Sequence, residues 1–188
     1  MHKIISTTLS AQKVLIILIS LFAFGLFLVL NAQSASAATF SVSPNSGTYA
    51  VGSTFDVSVV LDTQGQSVNA VQMQLSYPPD KLQLVSPQVG NSIIQIYTTP
   101  PRYDNVKGTV DIVGGIPNGI TVNAGLVAKF TFRVRSLGTA SLRFTGESQA
   151  LLNDGFGSNA LRGTSGATLR FELPPSQGPL VVSDSHPN

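Results

Sequence analysis

Side chains of alternating polarity run through much of residues 55–173, and this period of two constrains the fold more than any other feature of the chain. Successive side chains of a β-strand point to opposite faces of a sheet, so an alternating segment forms a strand with one buried face and one wet face. No segment after residue 37 shows a convincing helical repeat, and the pattern therefore predicts an all-β domain. The clearest alternating segments are 55–61, 71–77, 128–135, 140–144 and 167–173.

Shorter apolar runs at 40–43, 82–89, 93–97 and 110–113 bring the expected number of strands to about nine. Turns rich in Gly, Asn, Asp and Pro separate the strands at short intervals, which is typical of an antiparallel two-sheet sandwich or jelly roll. Pro100-Pro101 marks the 89–108 connection as a surface excursion or an edge segment, because proline cannot donate to a central ladder. The residues expected inside the sandwich are Val57, Val59, Met73, Leu75, Phe130, Phe132, Leu142 and Phe144.

An apolar run at 14–30 precedes this domain, with Lys3 and Lys13 before it and Ala35-Ser36-Ala37 after it. A basic start, an apolar middle and small residues at the cut are the parts of a secretory signal helix, with cleavage expected after Ala37. The alternative is an uncleaved membrane anchor, since a run of 17 uncharged, mostly apolar residues approaches the lower limit for spanning a bilayer. In both cases the remaining residues leave the cytoplasm.

These boundaries predict three parts: a signal peptide or anchor at 1–37, a β-sandwich at 38–173, and a Pro/Ser-rich linker or tail at 174–188. The tail has three prolines among its first six residues and a polar end, a composition typical of linkers. A chain that stops in a linker is expected to be a piece of a longer, multi-module protein.

Charge and residue usage narrow the function. Without Lys3 and Lys13 the chain has 9 cationic and 9 acidic residues, and no basic patch is evident, so nucleic acid is not an expected partner. Cysteine is absent, and histidine occurs only at His2 and His186. The domain therefore lacks the residues for a Ser-His-Asp triad, a Cys-His pair or a His- or Cys-based zinc site. Carboxylate or Lys/Tyr chemistry remains open, but a glycosidase needs two carboxylates about 5–10 Å apart across a cleft. Nothing in the sequence brings two together, so we expect no enzyme activity.

Three stretches together resemble the cohesin family, which belongs to a larger group of carbohydrate-binding-module-like sandwiches. Residues 68–85 form a strand ending at Tyr77, a Pro78-Pro79-Asp80 turn and a second strand. Residues 126–144 form two alternating segments around Leu137-Gly138, and residues 149–161 are similar to the region before the last strand of cohesin-like domains. The resemblance covers about residues 39–173.

The resemblance implies a non-catalytic jelly-roll module. Members of the family hold dockerin-bearing enzymes on a scaffold, usually through one sheet face, and related sandwiches bind polysaccharide. We therefore expect a secreted or cell-surface module for scaffolding or adhesion. Its expected partner is a dockerin-like extracellular protein, with a polysaccharide as the alternative, and contact with a membrane is expected only through an uncleaved N-terminal segment.

The sequence offers three candidate sites, each with a plainer reading. The first is the loop containing Asn153, Asp154 and Asn159, whose oxygens would suit Ca²⁺. Asn, Asp and Gly are also the residues of ordinary turns, and the stretch has a single carboxylate. No other cofactor is expected.

The second candidate site is a pair of tyrosines, Tyr97 and Tyr103, which flank the Pro100-Pro101 segment and would stack on sugar rings. The plainer reading of a tyrosine on a strand is packing against the core. Such platforms rely heavily on tryptophan, which this chain lacks.

The third candidate site is cationic and would receive an acidic partner. It forms if residues 129–135 and 140–143 pair as a hairpin, which would place four cations on one polar face. The plainer reading is a solvated face whose charges prevent aggregation. The four residues are Lys129, Arg133, Arg135 and Arg143.

Overall fold

The computed structural model describes Leu15, Ile19, Ser20 and residues 37–175. The chain divides into two units, Met1–Ala35 and Ser36–Asn188. Leu15, Ile19 and Ser20, the described residues of the first unit, are helical. The rest of the expected signal segment through residue 36, and the tail beyond residue 175, lie outside the described residues. Within the described part of the chain, no helix has the length and apolar character that crossing a membrane requires.

Twelve strands account for most of residues 37–175, and they form two sheets. One sheet has the order β11-β1-β3-β8-β5, and the other has the order β2-β12-β9-β4-β7-β6, with β10 also paired to β4. The strands are β1 Ala38–Ser43, β2 Ser46–Ala50, β3 Thr54–Asp62, β4 Val68–Ser76, β5 Leu82–Gln88, β6 Ile96–Asp104, β7 Thr109–Ile120, β8 Gly125–Val134, β9 Gly138–Phe144, β10 Gln149–Leu152, β11 Leu161–Ser165 and β12 Ala167–Glu172. The expected all-β two-sheet sandwich is confirmed.

The first and last strands of the domain both cross from one sheet to the other. Strand β1 continues after Pro44-Asn45 as β2, and β11 continues after Gly166 as β12. The two runs lie side by side, because β1 pairs with β11 and β2 with β12, both in parallel, while the remaining ladders are antiparallel. A side chain at position 166 would collide with the carbonyl oxygen of Leu142, so the crossing at this point requires glycine.

Three strands were missing from the sequence prediction of about nine: β2, β10 and β11. Strands β2 and β11 have no buried residue, and β10 has only four residues with Ala150 buried. Alternation detects a strand through its apolar face, so strands that form by backbone pairing at the margins of the sheets leave little signal. The edge position expected for the Pro100-Pro101 segment is confirmed: it lies in β6, at the end of its sheet, where the register with β7 slips.

The core lies between the inner faces of the two sheets. Seven of the eight residues expected inside are at most 1% exposed, and Phe144 is partly buried and stacks on Phe40 with ring centroids 5.5 Å apart. Phe132 is fully buried, with the Tyr77 ring edge-on at 5.1 Å and the Phe55 ring stacked at 6.0 Å. Aromatic rings in these arrangements stabilise a core beyond the area they bury.

Asn105 connects the two sheets at one end of the sandwich. It lies in the turn between β6 and β7, yet its amide pairs with the backbone of Leu84 on β5 in the opposite sheet: Leu84 N donates to Oδ1 (2.7 Å) and Nδ2 donates to Leu84 O (3.0 Å). The Tyr77 hydroxyl also donates to Oδ1 (2.8 Å). Burial, together with the negative charge of Asp104, raises the pKa of Tyr77 to about 12, so this hydroxyl remains a donor across the physiological range.

Replacing Phe132 with alanine should lower the free energy of unfolding by about 3–5 kcal/mol, because it removes a fully buried ring and leaves a cavity. The neighbouring Arg133→Ala change should alter it by no more than about 0.5 kcal/mol, since that side chain is exposed. Urea unfolding followed by circular dichroism measures both values. Equal losses for the two variants would contradict the assignment of the faces of β8.

Replacing Asn105 with alanine should cost about 1–3 kcal/mol, because the Leu84 backbone groups and the Tyr77 hydroxyl lose their partner. Asn123→Ala is the matched control, since Asn123 is exposed and has no side-chain hydrogen bond within residues 37–175. The same unfolding measurement applies. A loss no larger than that of the control would show that water replaces Asn105 at little cost.

Candidate functional site

The loop between β10 and β11 holds the residues expected to bind calcium, but their oxygens face their own chain. Oδ1 of Asp154 accepts hydrogen bonds from the amides of Phe156 (2.8 Å) and Gly157 (2.9 Å). Asn153 bonds to the side chain of Asn69, and Oδ1 of Asn159 accepts from backbone amides on β10 and β11. Residues 37–175 contain no group of three or more His, Cys, Asp or Glu that could hold a metal ion. Calcium binding stays a prediction that this arrangement does not support.

Tyr97 and Tyr103 do not form a stacking platform on the outer face of the sheet. On β6 they lie opposite Gly114 and Val110 of β7, both of which are buried, and directly opposed residues share a face. Tyr97 packs against the core, and its hydroxyl is buried without a hydrogen-bond partner within residues 37–175. Tyr103 is 44% exposed, so it alone remains accessible to a sugar.

The four cations do not share a face, because the hairpin on which that prediction depended is wrong. Strand β8 pairs with β3 and β5, whereas β9 pairs with β12 and β4 in the other sheet. The link between them crosses from sheet to sheet and is fixed to the β4–β5 turn, where Arg135 N donates to Lys81 O (2.8 Å) and Lys81 Nζ donates to Leu137 O (2.8 Å). Arg143 is therefore separated from the other three.

Two of the three cations on or after β8 already have partners. Lys129 forms an ion pair with Asp56 (2.7 Å), and this bond, together with one from Thr131, holds the pKa of Asp56 below its ordinary value. Arg135 donates to the carbonyl oxygen of Pro79 (2.8 Å). The Arg133 side chain is exposed and has no hydrogen bond or ion pair within the described residues, which leaves it as the unpaired cation of β8.

The outer face of the other sheet carries a row of polar side chains that hold one another in place. On this row, Thr145 Oγ1 donates to Gln74 Oε1 (2.6 Å), and Gln74 Nε2 donates to Asp111 Oδ1. The Ser148 hydroxyl bonds to both backbone groups of Gln74, at the break between β9 and β10. Side chains that are already ordered lose little conformational entropy on binding.

Neighbouring positions extend this row into a broad surface, which we call the β4 face. Register places Gln72 opposite Val113, Gln74 opposite Asp111, and Ser76 opposite Arg143 on the other side. The alternation of β4 predicts its polar face from the sequence. A face that only contacts water has the same alternation as a face that binds a partner, so the pattern does not indicate a binding role. The β4 face consists of Gln72, Gln74, Ser76, Asp111, Val113 and Arg143.

The family assignment follows from comparison with known proteins. The model of the cohesin domain matches residues 38–166, which is more than half of the chain, and the chain belongs to the cohesin family. A search of curated protein sequences found no significant match. The sandwich fold and the family match therefore agree.

Solved cohesin structures share the fold at low sequence identity. The seventh ScaB type I cohesin from Pseudobacteroides cellulosolvens has a TM-score of 0.62 at 14% identity, covering 76% of this chain and 96% of its own. The OlpC cohesin from Clostridium thermocellum, solved in complex with a dockerin, has a TM-score of 0.61 at 15% identity and covers 77% and 99%. A cohesin module of a family 33 glycoside hydrolase from Clostridium perfringens has a TM-score of 0.56 at 13% identity and covers 74% and 99%.

The turn at Asp154 should persist well into the acid range. The Ser158 hydroxyl and the amides of Phe156, Ser158 and Gly157 hold the pKa of Asp154 below its ordinary value. The carboxylate is therefore charged and the turn is intact at neutral pH, and the turn should loosen only as the pH falls through that lowered pKa. NMR titration of the Phe156 and Gly157 amides measures this. A shared midpoint at or above the ordinary aspartate value would contradict the hydrogen bonding described here.

Proposed function

We propose that this chain is an exported, non-catalytic scaffolding module that binds a dockerin-like extracellular protein through the β4 face. Membership of the cohesin family supports the class of function, and the dockerin complex of the OlpC cohesin supports the class of partner. The signal-like segment at 1–37 supports export to the cell surface or the medium.

The observation that carries the choice of surface is the hydrogen-bonded row of Thr145, Gln74 and Asp111. A docking surface needs accessible groups fixed on a rigid frame. The three residues of this row are half-buried, and they are anchored on adjoining strands and at the break where β9 gives way to β10. Asp111 adds a carboxylate and Arg143 a cation to the same face, so both signs of charge are available for recognition. The five-stranded sheet offers Arg133, the unpaired cation of β8 within the described residues, beside the Asp56–Lys129 ion pair.

Polysaccharide binding is the alternative function, and it has less support. Of the two tyrosines expected to bind a sugar, Tyr103 is the accessible one, because Tyr97 is packed into the core. Neither function requires catalysis, and the domain has no histidine or cysteine for nucleophilic chemistry.

Binding can be measured by surface plasmon resonance on the immobilised protein, with recombinant dockerin modules encoded by the same genome as the analytes. Asp111→Arg should weaken binding by about tenfold or more, because it reverses a charge and breaks the row. Arg133→Glu is the matched control on the other sheet and should change the affinity by less than about twofold.

The opposite ranking of these two variants would move the docking surface to the five-stranded sheet, where Arg133 lies. Absence of binding to any of the dockerin modules, with retention in a polysaccharide gel that Tyr103→Ala abolishes, would overturn the proposal in favour of glycan binding.

A further inference from the structure

Phe156 projects from the domain as an isolated apolar knob. Its side chain is 92% exposed, the highest value among the exposed large hydrophobic residues of the described chain. Gly155 and Gly157 flank it, so no neighbouring side chain in the sequence shields the ring. An aromatic ring displayed in this way offers a large apolar area that an apolar recess could bury.

The loop that carries the knob is fixed by its own hydrogen bonds. Asp154 Oδ1 accepts the amides of Phe156 and Gly157, and Leu152 N donates to Ser158 O (2.9 Å) across the base of the loop. Gly155 and Gly157 have φ angles of 79° and 68°, a region that residues with a side chain rarely adopt. The ring is therefore displayed on a preorganised turn, and little ordering is needed when it is buried.

A shallow apolar recess of about 360 Å³ lies at the end of the seven-stranded sheet, between the beginning of β6 and the end of β7. Ile96, which is 57% exposed, and Pro117 line it, together with Gly115. A side chain on Gly115 would meet only the carbonyl oxygen of Asn69, at 3.8 Å. The recess is therefore open at this point because residue 115 has no side chain.

Asn153 places the knob beside the recess. It lies at the base of the Phe156 loop and also lines the recess. Its Nδ2 donates to Asn118 O (3.1 Å), its Oδ1 accepts from Asn69 Nδ2 (3.1 Å), and its backbone amide donates to Ser67 O (2.8 Å). These bonds fix the knob and the recess relative to each other on one patch of the surface.

We propose that two copies of this chain pair about a two-fold axis, with Phe156 of each copy entering the recess of the other. A two-fold interface uses the same patch on both partners, so the patch must contain both the projecting group and its receptor, as this one does. The recess has no charged lining residue, and Asp154, the single charge of the 153–159 loop, faces its own amides. Identical copies can therefore approach here with little repulsion between like charges.

The pair should be weak and dependent on concentration. Stable interfaces bury about 800 Å² on each partner, and a single knob in a shallow recess covers less than that. The recess adjoins the β4 face through Gly115, which lies two residues after Val113 on the same face of β7. Pairing and partner docking should consequently compete, although the pairing does not rest on the proposed function.

Cysteine crosslinking of the full chain tests the pairing, since the natural sequence has no cysteine. One tagged chain carries Ser158→Cys, beside the knob, and a second chain with a different tag carries Thr98→Cys, at the recess. Mild oxidation of the mixture should give a covalent heterodimer. Adding Phe156→Ser to the first chain, or Gly115→Val to the second, should reduce its yield by about tenfold, as expected on losing an interface anchor.

Val106→Ser in the first chain is the matched control. Val106 is 87% exposed and lies two residues after Asp104, whose Oδ1 accepts a hydrogen bond from the Val106 amide. Asp154 and Phe156 are related in the same way. Val106, however, lies in the β6–β7 turn, whereas the recess lies where β6 begins. Its crosslinking yield should not change. Thermal unfolding of each variant checks folding, and the exposed Phe156→Ser change should leave the melting temperature unaltered.

The expected pattern is a heterodimer that both Phe156→Ser and Gly115→Val suppress and Val106→Ser does not. Two results would overturn the proposal: no heterodimer with the two cysteines alone, or a heterodimer whose yield is the same with Phe156 and with Ser at position 156. In a chain that carries both cysteines, disulfide-linked products larger than a dimer that still require Phe156 would replace the closed pair with an open, head-to-tail association.

Discussion

Burial of apolar side chains between two sheets is the interaction on which the rest of this structure depends. The chain has no cysteine and therefore no disulfide, and a domain of this size must then be stabilised mainly by its core. Phe130, Phe132, Leu75 and Leu142 are fully buried, and the alternation that puts them inside also puts their polar neighbours outside. The Asn105 amide joins the two sheets at one end, which limits how far they can slide past each other.

The outer faces follow from this arrangement and divide the surface into parts with different chemistry. The five-stranded sheet carries the closed Asp56–Lys129 pair, whereas the β4 face carries an ordered row centred on Gln74. Such faces are rigid because the core beneath them is packed, so recognition can depend on side chains alone. The recess beside Phe156 adds an apolar end to the polar β4 face. One sheet can therefore offer two kinds of contact within a short distance.

The sequence was sufficient for the fold class and the core, because alternation reports directly which side of a strand is buried. It could not assign β8 and β9 to opposite sheets. Alternating strands joined by Leu137-Gly138 look the same whether they pair or cross between sheets, and the deciding contacts, from Lys81 to Arg135 and Leu137, are distant in sequence. The hydrogen bonds that join Thr145, Gln74 and Asp111 could not be predicted from the sequence either, because only the strand register brings these residues together.

The parallel pairing of the first and last strands has a mechanical consequence. The chain enters the domain at the start of β1 and leaves it at the end of β12, and the adjoining runs 38–50 and 161–172 point the same way. At about 3.3 Å per residue the second run is about 40 Å long. Force applied to the two ends would shear one run past the other. The hydrogen bonds of both ladders would then bear the load at the same time instead of breaking one after another. Tension along the chain would thus meet its greatest resistance where the domain begins and ends.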